Sequence, residues 1–95
     1  MVTVKLKDPN YVIIQDKVMH KGFILLNCDL GAEEYIVDEL NQMQDVKNAY
    51  LTFGAYDVIA EIETENQEGF EKAIAVIRKL SRVVSTMTLN VIRPE

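Results

Sequence analysis

The side chains with chemistry to offer sit in a few places: Phe53-Gly54-Ala55-Tyr56-Asp57, the carboxylate pairs Glu33/Glu34 and Glu61/Glu63, a single histidine, His20, and a single cysteine, Cys28. Paired carboxylates can divide acid and base work when their surroundings split their pKa values. Each pair here has a plainer role. Glu33 and Glu34 fall in the first turn of an expected helix, where negative charge complements the helix dipole. Glu61 and Glu63 alternate along an expected strand toward an open end, which suits a solvated rim or an ion pair between subunits. His20 lies outside the expected core and reads as a surface residue. With no second histidine and no further cysteine, a zinc set is not expected and no disulfide can form within the chain. Cys28 lies in the apolar run Gly22–Asp29 and reads as a small buried side chain. No glycine-rich phosphate loop is present. No catalytic residue, metal ligand or cofactor site is expected. What remains is the Phe53–Asp57 junction between two β-prone runs. Gly54 alone supplies the positive φ of a tight hairpin, so Tyr56 and Asp57 exceed what the turn requires.

The 95 residues suit one domain. They are 48% hydrophobic, with no Trp, two Pro and four Gly, so little of the chain reads as linker. The net charge of −5 disfavours free-standing nucleic-acid binding, which needs a basic stripe against phosphates. Charge is uneven: residues 1–21 hold four Lys against two Asp, and the remainder is acidic. Solvated lysines are the ordinary reading of that arm. No apolar run approaches the ~18 residues of a membrane span. The N-terminus lacks the apolar stretch of a signal peptide. A reducing cytoplasm is the expected compartment.

The elements that must position these residues follow from periodicity. Val2–Leu6 alternates as a short strand, the Asp8-Pro9-Asn10 run breaks it, and Tyr11–His20 reads as a second strand. Residues 1–21 thus form an N-terminal strand or arm, and residues 22–95 the domain proper. Gly22–Asp29 is a strand with apolar residues on both faces. A helix follows, with Ile36, Val37, Leu40 and Met43 as its buried stripe. Strands over Val46–Phe53 and Tyr56–Glu63 come next. A second helix buries Phe70, Ala73, Ile74, Ile77 and Leu80. Its N-cap is either Thr64, with Gln67 completing a capping box, or Asn66. Arg78, Lys79 and Arg82 complement its C-terminal end. A last strand starts at Ser85. The order β-α-β-β-α-β with right-handed crossovers leaves one compact solution: an α+β, ferredoxin-like fold, with a four-stranded antiparallel sheet and both helices on one face.

One face of each strand must meet the helices. Ile24, Leu26 and Cys28 are expected there, with Ala49, Leu51 and Phe53, then Val58, Ala60 and Ile62, and finally Met87, Leu89 and Val91. The opposite face takes Phe23, Leu25 and Asn27, Asn48, Tyr50 and Thr52, Ile59 with the two glutamates, and Thr86, Thr88, Asn90 and Ile92. That mixture is too apolar for a solvated sheet and too polar for a core, which marks an interface. A homodimer through Phe23, Leu25, Tyr50 and Ile59 is the simplest partner, because a two-fold axis lets one patch cover itself.

The run from Gly22 through "FGAYD" to "VVSTMTLNVI" resembles the effector-sensing C-terminal domain of the Lrp/AsnC regulator family, the RAM domain. The resemblance covers about residues 22–92. It implies dimers joined into larger rings, often octamers, with an amino-acid effector between dimers at this hairpin. Carried over, Gly54 gives the tight turn, Asp57 accepts the ligand's ammonium, and Tyr56 walls the pocket. Ser85, Thr86 and Thr88 bond its carboxylate. The competing reading has Asp57 pin the hairpin through backbone N–H groups and Tyr56 pack at an interface. Phe53 stands where the family commonly has a small polar residue, and Ala55 where it has an acidic one. Members that bind DNA carry an N-terminal winged helix-turn-helix, for which 21 residues are too few, so the chain is similar to stand-alone RAM proteins. The resulting expectation is a sensing and oligomerisation module of amino acids or similar small metabolites. It would use no cofactor, bind neither DNA nor membrane directly, and act through protein partners such as a full-length family member. A ligand-free adaptor oligomer and a small dimeric α+β-barrel enzyme share the same fold.

Overall fold

The computed structural model describes residues 19–92, so the strand expected over residues 2–6 and nearly all of the N-terminal arm lie outside the described residues. The chain runs β1 (His20–Cys28), α1 (Glu33–Asn41), β2 (Val46–Leu51), β3 (Val58–Thr64), α2 (Gln67–Arg78) and β4 (Val83–Asn90). The four strands form one antiparallel sheet in the order β2-β3-β1-β4. This is the expected ferredoxin-like arrangement.

Strand alternation builds the core. Ile24 and Leu26 of β1 and Val58, Ala60 and Ile62 of β3 are fully buried against the helices. From α1 come Ile36 and Leu40, and from α2 Phe70, Ala73, Ile74 and Ile77, each at helical spacing. Val37, Met43 and Leu80 pack around them half-buried. Of the two candidate caps for α2, the chain uses Asn66. Its Oδ1 accepts the Gly69 N–H at 2.7 Å, while the Thr64 hydroxyl donates to the Asn66 carbonyl.

Two expectations are corrected. The first concerns β4. Thr88 pairs with Ile24 and Met87 with Leu25. Opposed residues share a face, so Thr86 and Thr88 lie on the helix side, whereas Met87, Leu89 and Val91 belong to the open side. The physical reason is position. β4 is an edge strand whose helix-side neighbour is the polar, C-terminal end of α2, and there Arg78 takes both threonine hydroxyls. The second concerns Phe53, expected in the core. β2 ends at Leu51, and Phe53 stands fully exposed in the following loop.

Gly22 marks the tightest approach in the sheet. A Cβ there would run into the Phe70 ring and lie 2.7 Å from the Leu89 carbonyl oxygen. The ring can shift but the backbone oxygen belongs to the β1–β4 ladder. Gly22→Ala is therefore expected to destabilise by about 1–3 kcal/mol. At about 4–8 °C per kcal/mol for a domain of this size, a thermal melt followed by circular dichroism reads the change directly.

Candidate functional site

The site is built where β1 leaves the sheet. The loop after β2 closes on itself: the Thr52 N–H donates to the Asp57 carbonyl at 2.9 Å, and the Thr52 hydroxyl to the Tyr56 carbonyl at 2.7 Å. Gly54 sits at φ 145°, a conformation L-residues rarely adopt. The Asp57 N–H then bonds the Leu26 carbonyl at 2.9 Å, which anchors the loop to β1. One residue pair further, the Asp57 carboxylate takes over from the backbone ladder. Its Oδ2 accepts the Cys28 N–H at 3.0 Å. Beyond Cys28 the chain turns through Gly31 (φ 86°), and the Ala32 N–H donates to the Asp29 carbonyl at 2.9 Å. That turn delivers the first turn of α1, and with it Glu33, over the end of β1.

Cys28 Sγ and the nearest carboxylate oxygens of Glu33 and Asp57 lie within 4.8 Å of one another. They flank a cleft lined by Gly31, Glu33, Glu34, Leu51, Thr52, Phe53 and Asp57. Two carboxylates so close attract a cation, and the positive end of the α1 dipole offsets part of their repulsion. The same surroundings silence the thiol. Burial raises the Cys28 pKa first, and the charges of Asp57, Glu33 and Asp29 add to it. Cys28 is half-buried rather than fully in the core, and it is held protonated.

Tyr56 and Asp57, adjacent in sequence, serve opposite sides of the sheet. Tyr56 reaches over the open face to donate to Met87 Sδ at 3.8 Å, and it borders a hollow with Leu25 and Ile59. Ser85 shares that face, receiving the Asn27 side-chain amide at 3.3 Å. Thr86 and Thr88 do not. They lie on the helix side with Arg78, whose Nε donates to Thr86 at 3.3 Å and Nη2 to Thr88 at 3.2 Å. The six residues singled out from the sequence are thus split three ways: Gly54 and Tyr56 with Ser85 toward the open face, Asp57 in the cleft, and the threonines beside α2. Glu33 escaped notice as a site residue because the dipole already accounted for it. The signal was its place, directly after a Gly-containing turn that folds it back over the strand end.

The open face carries Phe23, Leu25 and Ile59 half-buried, with Tyr50, Met87 and Leu89 about half exposed. Its far end is ionic. Lys21 Nζ lies 3.0 Å from Glu61 and 3.4 Å from Glu63, and Lys47 lies 3.6 Å from Glu63. The Asn48 amide donates to Glu61 at 2.9 Å and, ahead of Lys21, holds that carboxyl below its ordinary pKa. His20 caps the same strand, its Nε2 3.1 Å from Asn90 Oδ1 and its ring 4.7 Å from that of Phe70.

Known proteins share this arrangement. The family model described as the Lrp/AsnC ligand binding domain matches residues 21–94. The HTH-type transcriptional regulator FL11 of Pyrococcus abyssi (strain GE5 / Orsay) is 28% identical over 72 residues, which are 76% of this chain and 48% of that regulator. The chain therefore spans about half the length of the curated relative it matches. Among solved structures, FFRP-DM1 is 33% identical over 78% of this chain and all of its own, with a TM-score of 0.75. The hypothetical protein PHS023 from Pyrococcus horikoshii is 32% identical over 80% of this chain and 93% of its own, also at 0.75. Escherichia coli AsnC, at 21% identity, 79% of this chain and 52% of its own, shares the fold with a TM-score of 0.72.

Cys28 reports on the cleft without any ligand. Its alkylation by iodoacetamide at mildly alkaline pH is expected to be slower than that of free cysteine. Asp57→Asn removes one of the charges that raise its pKa, so the rate should increase. An unchanged rate would mean that the carboxylate does not act on the thiol.

Proposed function

This chain belongs to the Lrp/AsnC ligand binding domain family, and on that premise we propose that it is a sensing and self-assembly module for an amino acid or similar small metabolite. The observation that carries the reading is the carboxylate pair Asp57 and Glu33 at the mouth of a cleft beside the Gly54 hairpin. A ligand ammonium there exchanges water for charge-assisted bonds to both groups. Gly54 and Tyr56 shape the hairpin that forms the wall. The module is a binding protein rather than an enzyme. It works in the cytoplasm through protein contacts, including those with a full-length family member, since a net charge of −5 opposes direct DNA binding. Among the described residues no helix is long and apolar enough to cross a membrane.

Self-association uses the open face. Phe23, Leu25, Tyr50 and Ile59, joined by Met87 and Leu89, form a continuous patch that a two-fold related copy can cover. Dimers then join into an octamer-type ring, for which the exposed Phe53 at the hairpin supplies an apolar contact. A second reading, a ligand-free adaptor, draws on the Asp57–Cys28 hydrogen bond, because a carboxylate already engaged by backbone can have that structural duty alone.

Two measurements test these points. Sedimentation at micromolar concentration should show at least a dimer, and Leu25→Glu, which buries a charge in both copies of the seam, should yield a folded monomer. A parent that is already monomeric contradicts the interface. For the ligand, thermal shift across the proteinogenic amino acids should find one that raises the melting temperature. Calorimetry should then show Asp57→Asn binding it roughly ten- to a hundred-fold more weakly, equivalent to about 1.5–3 kcal/mol for a charge-assisted bond. If no amino acid shifts the melt, the amino-acid reading fails and the adaptor is favoured.

A further inference from the structure

The inverted polarity of β4 opens a second place for a ligand. In the middle of β1 and β3 the helix-side positions are the aliphatic Ile24, Leu26, Val58, Ala60 and Ile62, but on β4 they are Thr86, Thr88 and Asn90. Of these, Thr88 and Asn90 pair with Ile24 and Gly22, further along β1 from Leu26, which anchors the Asp57 hairpin, and they line a groove of about 250 Å³ between β4 and α2 at the sheet edge. Its floor is Phe70 and Ile74, both nearly buried, so the bottom is apolar and the rim polar. On the rim Arg78 is held in place by the two threonine hydroxyls, which take its Nε–H and one Nη2–H. Its other N–H groups remain for the groove, and no carboxylate lies within ion-pair distance of it among the described residues. Two turns back on the same face of α2, Glu71 also lines the groove, with one carboxylate oxygen steadied by the Gln67 amide at 3.0 Å. The Asn90 amide is fixed by His20.

We propose that this α2–β4 groove is a second binding site for a zwitterionic amino acid, with the carboxylate on Arg78 and Thr88 and the ammonium toward Glu71. The two signs on one rim decide the class. A simple dianion gains Arg78 but is repelled by Glu71, and a simple amine meets the reverse. A zwitterion satisfies both ends and lays its side chain on Phe70 and Ile74. The guanidinium also needs little ordering on binding, because its rotamer is already set by two hydrogen bonds. Only the class of ligand is shared with the sensing reading above; the residues are separate, so either site can fail alone.

The test is a titration of the isotope-labelled protein with individual amino acids at millimolar concentration, followed by amide NMR shifts. At least one should move the Thr88 and Asn90 amides. Arg78→Gln should weaken that response about tenfold or more, Glu71→Gln and Thr88→Val should weaken it less, and Asp57→Asn should leave it unchanged. The same amino acid with its amine acetylated, or with its carboxylate as an amide, should lose the response. Circular dichroism melts confirm that each variant is folded. The proposal is overturned if no amino acid moves these amides, if Arg78→Gln responds like the parent, or if either blocked derivative binds as well as the zwitterion. Shifts confined to the Cys28 and Asp57 amides would uphold the hairpin site and remove this one.

Discussion

Everything in this domain hangs on β1, which with β3 is one of the two strands bonded on both sides. It pairs with β3 and with β4, and its side chains alternate between the core and the open face. Ile24 and Leu26 anchor the core, and Phe23 and Leu25 centre the opposite patch. A slip of one residue against either neighbour would exchange these sets. The same strand fixes the functional geometry. Where its regular pairing ends at Cys28, a side-chain carboxylate substitutes for a backbone carbonyl, and that substitution is what aims Asp57 into the cleft beside Glu33.

The hairpin joins two surfaces that are otherwise separated by the thickness of the sheet. Tyr56 rests on the open face near Leu25, and Asp57 grips the end of β1 on the other side. A shift of this loop cannot move one without the other, since Thr52 ties the backbone of both residues. In the proposed sensor, occupation of the cleft and coverage of the open face would be linked through one short turn.

Much of this was legible in the sequence. The element order, both helix stripes and the inward faces of β1 and β3 followed from period and polarity, because each helix has one apolar stripe, and on the two strands the face mixed with Asn27, Glu61 and Glu63 could be told from the apolar one. β4 defeated the same logic. Met87 and Leu89, the apolar residues of its second half, were assigned to the core, but at a sheet edge the helix side is partly wet and takes the threonines instead. Phe53 failed for a related reason: alternation continued past Leu51, where the ladder had already stopped. Asn66 and Thr64 were equivalent on paper, and only the backbone path into α2 separated them. The Asp57–Cys28 hydrogen bond spans 29 positions and left no local signature beyond an acid in excess of the turn's needs.

The lengthwise division of the open face, apolar toward the hairpin and ionic toward Lys21, Glu61 and Glu63, has a bearing on how two such faces can meet. A uniformly greasy sheet has no preferred offset and can glide over its copy. Here a displacement of one pleat toward the charged end would strip water from ions already paired within their own sheet, which disfavours that offset. In the proposed dimer the ionic end would thus work as a stop, and it would give a flat surface a vernier.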